Sequence, residues 1–108
     1  MSNLQPPSAR SRTTFKVRID RHGAVLIDCH AGSDHVETGI RGLAGLVQRG
    51  WMAKPRDLHV DPLLEHVDID GTRFPCDEMG VQRLEQALNS HYSRPFHENA
   101  DRIHRSEE

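Results

Sequence analysis

The chain has 108 residues, of which 35% are hydrophobic and 28% charged, with a formal net charge of −2. That length suits one domain, and a mean hydropathy of −0.68 with no apolar run near the ~20 residues of a bilayer crossing excludes a membrane-spanning helix. The near-neutral balance argues against a dedicated nucleic-acid binder, which needs a concentrated basic surface to displace counterions.

Residues Met1–Arg12 and Ser93–Glu108 are poor in core-forming side chains, so flexible tails are expected at 1–12 and 93–108, flanking a single domain at 13–92. The opening Met1-Ser-Asn-Leu-Gln-Pro-Pro lacks the basic and apolar regions of a secretory signal, which makes the cytoplasm the expected compartment. A core of this size is marginal alone, and a homodimer is one way to add buried surface.

Thr13 to Asp20 alternates Phe15, Val17 and Ile19 with Lys16, Arg18 and Asp20, the period of a half-buried strand. Arg21-His22-Gly23 supplies a turn, and Ala24 to His30 returns as a second strand, completing a hairpin. From Asp34 the spacing of Val36, Ile40, Leu43 and Val47 predicts an amphipathic helix ending at Gly50, with Asp34 and Glu37 as an approximate capping box. Gly39, Gly42 and Gly45 oppose that helix, each costing it about 1 kcal/mol relative to alanine. Their spacing also suggests a smooth strip on which another backbone can lie.

After a linker holding Trp51 and Pro55, Leu58-His59-Val60 reads as a short strand and Leu64–Ile69 as another. Asp70-Gly71 is the strongest hairpin-turn dipeptide of the chain, with Thr72-Arg73-Phe74 returning. A last helix is expected over about Asp77–Asn89, burying Val81, Leu84 and Leu88. The order ββα-ββα predicts a small two-layer α+β domain: one antiparallel sheet from two hairpins, with two helices on one face. The fragments Val17-Arg-Ile-Asp20 and Val67-Asp-Ile-Asp70 hint at an internal duplication.

Chemistry-bearing motifs are sparse. Cysteines and histidines are plentiful at Cys29, His30, His35, His59, His66, Cys76, His91 and His97, but no CxxC or HExxH spacing organises them. Cys29, His30 and Cys76 form the weak metal candidate, a zinc set if both cysteines occupy equivalent sheet-to-helix junctions. The default expectation is no cofactor, with both cysteines as buried thiols. His66 to Asp77 brushes against a calcium loop, yet alternating Val67 and Ile69 suit a strand better. No nucleophile motif or phosphate-cradling glycine loop is present, so the protein is not expected to be an enzyme. A small enzyme with Cys29 or Cys76 as nucleophile remains an alternative.

Charge is segregated along the chain. Residues 57–78 carry seven carboxylates against Arg73 alone, whereas residues 1–22 carry five basic side chains against one acidic. The expected function is therefore that of a small non-enzymatic binding protein of the inhibitor, immunity or anti-defence kind. Its partner is a larger protein with a basic or nucleic-acid-binding surface. The expected contact residues are Asp61, Glu65, Asp68, Asp70 and Trp51, the last as an aromatic anchor or a core plug. The alternative is a nucleic-acid accessory role for the basic arm Arg10, Arg12, Lys16, Arg18 and Arg21.

Overall fold

The structure, a computed structural model, describes residues 11–96. In chain order the elements are β1 (Ser11–Arg12), β2 (Thr14–Ile19), β3 (Val25–Ala31), β4 (Asp34–Gly39), a 3-10 turn (Ile40–Gly42), α1 (Leu43–Gln48), β5 (Leu58–Val60), β6 (His66–Ile69), β7 (Thr72–Pro75), α2 (Glu78–His91) and β8 (Pro95–Phe96). The α+β class is as expected, but the layout differs. Two three-stranded antiparallel meanders, β2-β3-β4 and β5-β6-β7, replace the single sheet of two hairpins.

The largest correction lies at Asp34–Gly39, which forms β4 and not the start of a helix. Gly32 adopts φ +61° in the two-residue loop Gly32-Ser33, so the chain reverses there and Asp34 pairs with Ala31. β-branched Val36 and Thr38 then gain ladder partners on β3, which offsets the helical spacing of the apolar residues. The helix survives only as the six residues of α1. The three glycines form no strip: Gly42 abuts the side chain of Thr38, while Gly45 faces open space.

The expected β2–β3 hairpin is present, as are β5 and the β6–β7 hairpin. Asp70 (φ +50°) and Gly71 (φ +86°) both adopt left-handed backbone at the β6–β7 turn, the conformation that aspartate-glycine tolerates there. Each half therefore runs βββα. The duplicated fragments fall on β2 and on β6, which occupy different positions in their meanders, so they do not mark equivalent strands.

One core joins the halves: Phe15, Val17, Ile27 and Cys29 from the first sheet, Val67, Ile69 and Phe74 from the second, and Val81, Leu84 and Leu88 from α2. The helix packs on both β2 and β7. It also closes the free edge of β2. Asn89 accepts the Phe15 N–H through Oδ1 at 2.8 Å and donates through Nδ2 to the Phe15 carbonyl at 2.9 Å, while Glu85 Oε1 accepts the Val17 N–H at 2.8 Å. Those side chains replace a fourth strand and protect an otherwise unpaired edge.

Pairing continues on either side of residues 13 and 92. β1 pairs with β8, Thr13 N–H donates to the Arg94 carbonyl at 3.0 Å, and Arg12 donates to the Ser93 carbonyl at 2.7 Å. Residues 11–12 and 95–96 are thus strand in the structure. The remaining tail expectations, at 1–10 and 97–108, lie outside the described residues. Among the described residues no helix is long and apolar enough to cross a membrane.

Candidate functional site

The carboxylates of the β6–β7 ribbon are largely committed within the molecule. The two-residue turn at Asp70-Gly71 sets Asp68 directly opposite Arg73, and the guanidinium meets the carboxylate in a two-pronged pair at 2.9 and 3.2 Å. The Arg73 hydrogen bond holds the Asp68 carboxyl below the usual range. Asp70 accepts the Tyr92 hydroxyl at 2.6 Å and the Asp57 N–H at 2.9 Å. Those bonds lower its pKa, and burial followed by the Asp70 contact pushes the Tyr92 phenol up to about 12. Asp61 caps its own turn by accepting the Glu65 N–H at 3.0 Å. Asp68 and Asp70, expected as contact residues for a partner, thus already have partners within the chain. Trp51, expected as an aromatic anchor or a core plug, is half-buried and packs against the core.

Acidic surface remains at one end of that ribbon. His66 pairs with Pro75, so the 61–65 turn and the 76–79 segment leave the sheet side by side, and the Cys76 N–H donates to the Glu65 carbonyl at 2.9 Å. Asp77 caps α2 by accepting the Gly80 N–H at 2.7 Å, which fixes Glu78 and Met79 in the first turn. Leu63 is 77% exposed and Met79 is 70% exposed, and these are the large exposed hydrophobic side chains among the described residues. Glu65, Asp77 and Glu78 on the same two segments are also exposed, and Asp61 is half-buried. Arg41 reaches the same loop, donating to the Pro62 carbonyl at 3.5 Å. Composition pointed to the charge, but the two apolar side chains were not singled out. Leu63 belongs to a Leu63-Leu64 pair that reads as a strand start, and Met79 falls beside the helical stripe.

The Cys29/His30/Cys76 set does not form. Strand alternation turns Cys29 into the core at 0% exposure and His30 to the opposite, exposed face of β3, while Cys76 follows β7 in the other sheet. Burial pushes the Cys29 thiol up to about 12. Cys76 is also raised, by burial first and then by Asp61 and Asp77. Neither environment favours the thiolate that nucleophilic attack requires.

On the exposed face of the first sheet, β3 and β4 bring together Asp28, His30 and His35, whose ligand atoms all lie within 4.8 Å of one another. The basic arm is folded in part: Arg18 pairs with Glu37 at 2.9 Å, Arg12 holds Ser93, and Arg10 lies outside the described residues. A groove of about 650 Å³ with Val47, Met52 and Leu58 in its walls carries Lys54, Arg56 and Arg94. Comparison of the chain with protein-family models, with curated proteins and with solved structures finds no match.

Proposed function

We propose that this is a small non-enzymatic binding protein whose contact surface is the acidic end formed by the 61–65 turn and the start of α2. The observation that carries the reading is that two neighbouring segments, joined by the Cys76–Glu65 backbone hydrogen bond, each carry an exposed apolar side chain, Leu63 or Met79, and exposed carboxylates, Glu65 or Asp77 and Glu78. Exposed apolar side chains on otherwise acidic segments suit the centre of an interface, where most binding energy concentrates. The fitting partner is a protein presenting arginine or lysine around a shallow apolar depression, a surface of the kind that also holds nucleic acid. The raised thiols support binding over catalysis by either cysteine.

Affinity purification with wild-type protein identifies the partner, and rebinding of the purified pair tests the surface. Leu63→Ser with Met79→Ser is expected to weaken the complex at least ~30-fold, the scale of a lost hot spot of about 2 kcal/mol. Glu65→Lys with Glu78→Lys is expected to slow association and abolish its salt dependence. Asp68→Asn should leave affinity unchanged, because its carboxylate already serves Arg73. Full affinity in the Leu63/Met79 double variant, or loss on Lys54→Glu in the basic groove, overturns the reading.

A further inference from the structure

We infer that the exposed face of the β3–β4 hairpin is a binding site for a divalent transition ion of the zinc, nickel and copper group, held by Asp28, His30 and His35. Strand alternation puts Asp28 and His30 on the same face of β3, two residues apart. The Gly32-Ser33 loop fixes the register so that His35 of β4 lies directly opposite His30. Directly opposed residues of an antiparallel pair hold their β-carbons about 4.5–5.5 Å apart, within the span of two imidazoles on one ion. The rings are already drawn together, with centroids 4.6 Å apart and planes 24° from parallel. His35 Nε2 also lies 2.9 Å from Asp28 Oδ1.

The donor chemistry selects the ion. Two imidazoles and one carboxylate suit zinc, nickel or copper, whereas calcium and magnesium prefer all-oxygen shells. At zinc bond lengths of about 2.0–2.2 Å, neighbouring tetrahedral ligands stand about 3.3 Å apart. Donor atoms within 4.8 Å reach that spacing by rotation of the side chains, and both histidines are exposed and free of core packing. An ion bound at His35 Nε2 would replace the contact that this nitrogen makes with Asp28 Oδ1. Three protein ligands leave at least one position to water.

Neighbouring charges fit as well. Lys16 of β2 stands opposite Asp28, but Glu37 of β4 flanks it on the other side and is tied to Arg18. The local field is therefore balanced before the ion adds its charge. This site is separate from the acidic end, and neither reading depends on the other.

Tag-free protein titrated with zinc chloride by calorimetry, with melting followed in parallel, tests the site. One equivalent is expected to bind with a dissociation constant tighter than about 100 µM and to raise the melting temperature, because the ion binds only the paired strands. His30→Ala and His35→Ala should each weaken binding at least ~10-fold while leaving the metal-free melting temperature near wild type. Asp28→Asn should weaken it less, and His59→Ala on β5 should change nothing. Absence of saturable one-to-one binding, or undiminished binding by both histidine variants, overturns the proposal.

Discussion

The two three-stranded meanders share a topology and differ in what they leave available. In β5-β6-β7 the charged residues are closed on one another: Asp68 takes Arg73 across the strands, and Asp70 takes Tyr92 and the Asp57 N–H. In β2-β3-β4 Arg18 pairs with Glu37 and His35 meets Asp28, with His30 close by, and no lysine or arginine among the described residues stands in hydrogen-bond contact with those three. The stretch richest in charge is thus the one with much of that charge spent. Availability depends on which residues the register sets opposite one another, and this the linear count does not report.

The sheets also differ in how α2 reaches them, and two substitutions separate the modes. At β7 the approach is backbone to backbone: a β-carbon on Gly80 would run into the Pro75 carbonyl and its backbone. Gly80→Ala is expected to cost about 3 kcal/mol in denaturant unfolding, since backbone on both sides must shift. At β2 the approach is through side chains. Asn89→Ala removes both hydrogen bonds to Phe15 and is expected to cost about 2 kcal/mol. Hydrogen exchange at the Phe15 and Val17 amides should quicken in that variant while β6 and β7 amides stay protected. Equal costs, or exchange that quickens in both sheets alike, would mean that α2 holds the halves as one indivisible unit.

Much of this arrangement was legible in the sequence, and the failures have physical causes. The alternation of Phe15, Val17 and Ile19, the Asp70-Gly71 turn and the Val81, Leu84, Leu88 stripe each express one dominant local preference. At Asp34–Gly39 two preferences compete. Helical apolar spacing and an acidic cap stand against β-branched Val36 and Thr38, and the ladder offered by β3 decides between them. Missing β4 also hid the His30–His35 pairing, although both residues were counted as ligand candidates. The Asp68–Arg73 pair was within reach, because a two-residue turn at 70 and 71 places 69 opposite 72 and 68 opposite 73. The Asn89 and Glu85 contacts to β2 lie 74 and 68 residues away along the chain, and no local signal carries them.

The closure of the second sheet makes a further prediction, smaller and spectroscopic. Tyr92 is the one tyrosine of the chain, so its ionisation can be followed by absorbance without interference from another phenol. Burial and the donated bond to Asp70 hold its proton, and titration is expected at about 12, against about 10 for an unperturbed phenol. The folded state therefore binds this proton more tightly than the unfolded chain. The stability that results is whole below about pH 10 and drains away as pH rises through about 12. Asp70 behaves in the opposite sense: its lowered pKa gives stability that is present above the ordinary carboxylate range and lost as pH falls. Tyr92→Phe should remove its own part of the alkaline loss and weaken the acid dependence, because Asp70 then keeps only backbone donors. A wild-type midpoint near 10 would mean that the hydroxyl faces water and that the Asp70 turn is not anchored to the end of α2.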